Sequence, residues 1–139
     1  MEKNAVKQGG CLCGAVRYEI DGPLRDISSC HCSQCQKSSG HYFAATATPK
    51  EHFHLVKDEG LKWYRSSDFA ERGFCAACGA NLLWRMKDGS HISILAGSLD
   101  GDTGLKTIRH IFVADKKDYY DIADGVPQYD SYPEEMKNG

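Results

Sequence analysis

The stretch Gly9-Gly10-Cys11-Leu12-Cys13-Gly14-Ala15-Val16-Arg17-Tyr18-Glu19-Ile20-Asp21-Gly22-Pro23 carries two signals. Val16, Tyr18 and Ile20 alternate with polar residues, which puts them on one face of a strand from Ala15 to Ile20. Asp21-Gly22-Pro23 supplies the turn that ends it. The two cysteines just before the strand sit among glycines rather than apolar residues, which is the setting of ligands and not of core packing.

Working outward, strand-like patches recur at Tyr42 to Ala47, His54 to Val56, Leu61 to Arg65, Leu82 to Met86, His91 to Ala96 and Thr107 to Val113. Gly, Pro, Asp and Asn separate them at short intervals, and no window of a dozen residues keeps a 3.6-residue period. The pattern predicts a mostly-β fold. With 139 residues the chain is one ordinary domain. Residues 1–8 are polar and read as a frayed, flexible N-terminus, leaving 9–139 as the folded unit. The tail from Asp124, with Gly125, Pro127 and Pro133, reads as a loop wrapped on the domain.

Lys and Arg number 17 against 19 Asp and Glu, a formal net charge of -2. That balance argues against a nucleic-acid clamp or a basic membrane-surface module, both of which need a positive excess. The longest apolar run, Ile92 to Gly97, falls far short of the ~20 residues of a membrane span. The N-terminal ten residues lack the apolar stretch of a secretory signal, so a cytoplasmic setting is expected.

A reducing compartment bears on the seven cysteines, an odd number that cannot pair completely. They form three groups: Cys11-Leu12-Cys13, Cys30-His31-Cys32-Ser33-Gln34-Cys35 and Cys75-Ala76-Ala77-Cys78. Four thiolates close a tetrahedral zinc site, and three leave one position open. Cys11, Cys13, Cys75 and Cys78 divide naturally from Cys30, Cys32 and Cys35 on that basis, the first set structural and the second able to take water or substrate. A rival pairing joins Cys32 and Cys35 with Cys75 and Cys78 as a zinc ribbon, across a linker longer than the usual ~15–20 residues. Filling a four-thiolate and a three-thiolate site with Zn2+ would take the formal net charge from -2 to about -5. The second site is then a weak Lewis acid, better suited to an incoming thiol that loses its proton than to water. The segment from Cys30 to Cys35 reads as a knuckle followed by at most one helical turn.

The three cysteine motifs in this order, with Gly9-Gly10, Gly14-Ala15-Val16-Arg17-Tyr18, Lys37, Gly40 and Phe74-Cys75-x-x-Cys78-Gly79, resemble the glutathione-dependent formaldehyde-activating enzyme (GFA) family, shared with centromere protein V. Tyr64-x-Ser66-Ser67, Arg72, Gly97-x-Leu99-Asp100 and His110-Ile111-Phe112-Val113 extend the likeness, which runs from about Gly9 to Tyr129. The resemblance implies a zinc-binding β-tent fold and two zinc ions per chain. In that likeness Cys11, Cys13, Cys75 and Cys78 hold the structural ion, and Cys30, Cys32 and Cys35 the catalytic one. It also implies a carbon–sulfur lyase that joins glutathione, a small-molecule thiol, to formaldehyde. The sequence departs from the family's habit at His41-Tyr42 and at Tyr119-Tyr120, where a pocket over the second site is expected to feel the change.

Glutathione carries two carboxylates, for which Lys37, Lys50, Arg65 and Arg72 are the candidate cations. His41, six residues past Cys35, is the candidate fourth ligand of the second site. His31 is expected to point away from a metal held by its neighbours, His52 and His54 to lie on the surface, and His91 and His110 to be structural. No Ser/His/Asp order, phosphate-binding glycine loop or HExxH motif is present, and no second titratable constellation, such as a Glu or Asp poised as general base, stands near Cys30 to Cys35. The alternative to an enzyme is therefore a non-enzymatic zinc module, an interaction or chaperone-like domain.

Overall fold

The computed structural model describes residues 6–133. Among these residues the chain forms ten strands in two sheets and one α-helix. The smaller sheet has the order β1 (Lys7–Gly10), β2 (Arg17–Ile20), β5 (Phe53–Lys57), all antiparallel. The larger runs β10 (Thr107–Ile111), β3 (Ile27–Cys30), β4 (Phe43–Pro49), β9 (His91–Leu95), β8 (Asn81–Met86), β7 (Ala70–Cys75), β6 (Leu61–Arg65). Its one parallel pair is β10 beside β3, and α1 (Ser33–Ser39) follows β3.

The strand alternation at the N-terminus does what its pattern predicts. Val16, Tyr18 and Ile20 are buried against Leu82, Leu83, Ile92 and Ile94, so the small sheet covers one face of the large one. Each such aliphatic side chain removed from water contributes about 1.5–3 kcal/mol. Side chains alternate across a sheet, so the register leaves Cys30, Phe43, Ala45, Ser93, Leu95, Trp84 and Arg72 together on the opposite face. That second face carries the cavity described below.

Three strands were not legible as strands. In β1 the run Lys-Gln-Gly-Gly lacks any β-former, and pairing with β2 begins at Lys7, within the segment that reads as frayed; residues 1–5 lie outside the described residues. Gly9 is required there, because a Cβ would come 2.4 Å from both the Ser98 carbonyl oxygen and the Tyr18 hydroxyl. In β3 the two serines hide an interior strand; Ser28 is buried and accepts a hydrogen bond from Arg109 Nε at 2.6 Å. In β7 the polar Glu71 and Arg72 hide another, Glu71 being satisfied by Arg85 at 3.0 Å. The segment after Cys32 is longer than one turn. Cys32 caps α1, its sulfur accepting from the Cys35 amide, and the helix continues to Gly40, whose φ of 85° ends it in the left-handed region.

Candidate metal centres and the cavity beside them

Two knuckles of similar build bring the first four cysteines together. In one, Val16 N–H donates to Cys11 Sγ at 3.2 Å and Cys11 N–H donates to the Val16 carbonyl. In the other, Cys75 N–H bonds the Ala80 carbonyl and Gly79 N–H the Cys75 carbonyl. A glycine in the left-handed region follows the last cysteine of each, Gly14 at φ 86° and Gly79 at φ 80°. Gly60 stitches the knuckles to one another through Ala15 and Ala76.

The sulfurs of Cys11, Cys13, Cys75 and Cys78 all lie within 4.8 Å of one another. The Cys11–Cys13 and Cys13–Cys75 separations are 3.7 and 3.8 Å. Four sulfurs at about 2.3 Å from a central zinc would stand ~3.8 Å apart, far beyond the ~2.05 Å of a disulfide. The donor set thus fits a closed tetrahedral site. Cys78 is lowered to about 6, chiefly by the Ala80 amide. Cys13 is raised to about 11: the Ala15 amide works the other way, but desolvation and the neighbouring thiols outweigh it.

Cys30, Cys32 and Cys35 form a second group within the same mutual distance. The end of β3 supplies the first, the helix cap the second and the first turn of α1 the third. Hydrogen bonds from Cys30 and then Cys35 pull the Cys32 thiol well below its ordinary value, while Cys30 moves up as the donor. The rival ribbon pairing is not what the fold assembles, because Cys75 and Cys78 meet Cys11 and Cys13 instead.

His41 does not join the group among the described residues; its Nδ1 lies 2.7 Å from the Tyr119 hydroxyl. The two departures at His41-Tyr42 and Tyr119-Tyr120 pack their rings against one another and against His31, outside the cavity lining. Fully buried His31 turns from the cysteines into a chain of ring nitrogens. The Tyr120 hydroxyl is 2.7 Å from His31 Nδ1, His31 Nε2 is 2.9 Å from His110 Nδ1, and His110 Nε2 is 2.7 Å from Asp124 Oδ2. Asp124 only accepts, so one set of neutral tautomers satisfies every contact: Tyr120 to His31, His31 to His110, His110 to Asp124. Burial and then the His110 ring push His31 down to about 4, in keeping with neutral imidazole. His52 and His54 both face Asp21 at the surface, at 2.9 and 3.1 Å.

Beside the three-cysteine group opens a cavity of about 420 Å3. Phe43, Phe69, Trp84 and Ile111 form apolar walls, and Arg25 and Arg72 supply its cations. Of the four cations read from the sequence, only Arg72 lines it: Lys50 bonds the Met86 carbonyl and Arg65 pairs with Asp68 at the surface. Arg72 is 7 % exposed, with Nη2 at 3.6 Å from Cys35 Sγ and 3.4 Å from Gln34 Oε1. Its Nε and Nη1 have no partner among the described residues. Arg25, Trp84 and Phe69 escaped the sequence reading, which offered no motif to mark them.

These features define a class: a mostly-β protein in which two cysteine clusters can hold metal ions, one closed and one beside a cavity. The chain belongs to the glutathione-dependent formaldehyde-activating enzyme family, whose model matches residues 6–115. It is 31% identical over 118 residues to an uncharacterized lyase of Schizosaccharomyces pombe, covering 84% of this chain and 85% of the relative. In fold it is similar to the crystal structure of a Rhodobacter sphaeroides protein, with a TM-score of 0.60 and 23% identity over 87% of this chain and 98% of that one.

Proposed function

We propose that this protein is a zinc-dependent carbon–sulfur lyase that makes and breaks the thiol adduct of a small aldehyde, with glutathione as the thiol and formaldehyde as the aldehyde. The observation that carries the reading is the inequality of the two clusters. Four cysteines close one site within the fold, whereas three leave a position that opens on the cavity. Family membership supports a lyase-type activity on such a thiol.

When bound by Cys30, Cys32 and Cys35, zinc would supply a Lewis-acidic position at which a thiol loses its proton near neutral pH. The chain's own residues do the rest. Phe43 and Trp84 give the reacting carbon an apolar wall, and Arg72 sets a positive charge beside the cluster. In the forward direction the sulfur lone pair forms the S–C bond, the carbonyl π pair moves to oxygen, and that oxygen takes a proton to give the S-hydroxymethyl adduct. Cleavage is the reverse.

Metal analysis tests this. Two zinc per chain in wild type and one in folded Cys35→Ser, with faster adduct formation from formaldehyde and glutathione in wild type alone, is the expected result. One ion in both proteins, with no acceleration for any of several aldehydes, would leave a non-enzymatic zinc module.

A further inference from the structure

After β10 the chain turns away over residues 112–126 and comes back along that strand's outer edge. His110 N–H donates to the Pro127 carbonyl and Tyr129 N–H to the His110 carbonyl, both at 2.9 Å, at the side of the large sheet where β10 is the last strand. Between departure and return the segment sends two side chains inward. The Tyr120 hydroxyl reaches His31 Nδ1 at 2.7 Å, and Asp124 Oδ2 reaches His110 Nε2 at 2.7 Å. Each is itself held: Lys116 Nζ donates to the Tyr120 carbonyl, and Asp124 Oδ1 accepts from the Val126 amide at 3.2 Å. Tyr120 is among the residues by which this sequence departs from the family's habit, so its contact with His31 is this chain's own feature.

His31 stands between two members of the three-cysteine cluster, and side chains alternate along extended backbone. Cys30 ends β3 and Cys32 has extended dihedrals, so the two cysteines face one way and the imidazole the other. All four polar groups of His31 are engaged. Its N–H bonds the Ile111 carbonyl at 2.9 Å, and its carbonyl accepts from Gln36 Nε2 at 2.6 Å. Nδ1 meets Tyr120, and Nε2 meets His110 at 2.9 Å. The residue is 0 % exposed, so no water stands ready to replace a lost partner. A turn of His31 about its backbone would swing the sulfurs on either side of it out of register, and these bonds oppose that turn. The four-cysteine cluster is built without any of these residues.

We propose that Tyr120 and Asp124 are positioning residues for the three-cysteine cluster. Acting through His31 and His110, they fix the Cys30–Cys32 turn at the sulfur spacing one ion requires, and the segment 112–126 thereby sets how firmly that cluster holds metal. This rests on the reading that the cluster is a metal site.

Protein grown in cobalt-supplemented medium tests this without any turnover. Cobalt–thiolate absorption reports ligand geometry, and the difference between wild type and Cys35→Ser isolates the three-cysteine cluster. A chromogenic chelator then competes for the ion. Tyr120→Phe leaves His31 Nδ1 without a donor, and Asp124→Ala leaves His110 Nε2 without its acceptor. Each is expected to weaken metal retention at this cluster about tenfold, the low end for an outer-shell partner, and to alter its absorption band while the four-cysteine signal stays unchanged. Asp124→Asn should remain near wild type, because an amide offers both a donor and an acceptor and the two imidazoles can reverse their tautomers to suit. Wild-type retention in folded Tyr120→Phe and Asp124→Ala overturns the proposal. So does an equal loss from both clusters, or an Asp124→Asn as damaged as Asp124→Ala, since either result means general destabilisation rather than hydrogen-bonded positioning. Should Tyr120→Phe fail to fold, Asp124→Ala decides alone, its side chain being 43% exposed at the outer end of the chain of bonds. One cobalt per chain in wild type as in Cys35→Ser overturns the metal reading itself, and the proposal with it.

Discussion

Single side chains differ in what their loss would do, even among cysteines. Cys75 is wholly buried at the junction of the sheets, and Cys78 completes its cluster from the same knuckle. Structural zinc is worth about 10–16 kcal/mol in small peptides, against about 5–15 for a whole domain. Cys78→Ser is therefore expected to lose its ion and its cooperative thermal transition together. A variant that kept both would remove the structural assignment. Tyr18 gives a pH prediction. Its hydroxyl lies 2.5 Å from Ser98 Oγ in a buried position, and desolvation raises it to about 12 from an ordinary 10. A raised phenol favours the protonated fold, so this stability is complete below pH 10 and is lost as pH climbs toward 12. Chemical denaturation across that window should show a steeper alkaline decline in wild type than in Tyr18→Phe. The three cysteine groups are legible because their members are close in the chain, while the meeting of Cys11 and Cys13 with Cys75 and Cys78 depends on the fold. Arg25 is not legible, since its place in the cavity depends on the Ala45 carbonyl twenty residues away.

Elements that contribute to the site do so through their ends. Gly60, just before β6, fills a gap in which a Cβ would lie 2.7 Å from Cys75 Sγ and 2.8 Å from Ala15 Cβ. Those neighbours are a ligand and a short side chain on tight backbone, and neither can swing aside. Gly60→Ala is expected to weaken metal retention at the four-cysteine cluster, read by competition with a chromogenic chelator, while the three-cysteine cluster keeps its affinity. At Gly40 the φ of 85° ends α1, and Gly40→Ala should cost about 1 kcal/mol in denaturant unfolding without altering the metal content. The seven strand-like patches are legible because β-formers alternate with polar residues in them. In β3 and β7 the polar positions face the cavity or find partners inside, and a pattern that assumes polar means outward misses them.

For the molecule as a whole, a metal ion held by the four-cysteine cluster would act as a clasp. That cluster joins the loop between β1 and β2 of the small sheet to the end of β7 in the large one. A chelator strong enough to strip both ions should unfold the protein at room temperature, whereas Cys35→Ser, with only the cluster beside the cavity impaired, should keep a thermal transition near the wild type. Circular dichroism of the two samples is the check, and a stripped wild type that melts normally would show that hydrophobic packing alone holds the sheets. The two cysteine clusters were visible in the sequence as groups, but not the open face that receives the second one. That face exists because the small sheet covers only one side of the large one, a fact of sheet packing that no local pattern encodes.

The two clusters also differ in how far apart their members lie along the chain. Cys30, Cys32 and Cys35 are neighbours, while Cys13 and Cys75 are separated by 62 residues. Closing the longer loop carries an entropy that grows as the logarithm of its length, and non-local contacts of this kind slow folding. During synthesis the short knuckle emerges first and can capture an ion before the clasp has its second half. On the proposed reading the three-cysteine cluster can be complete before residue 75 has been made, whereas the four-cysteine cluster cannot, so a chain stalled between the two would have one full set of ligands and only half of the other.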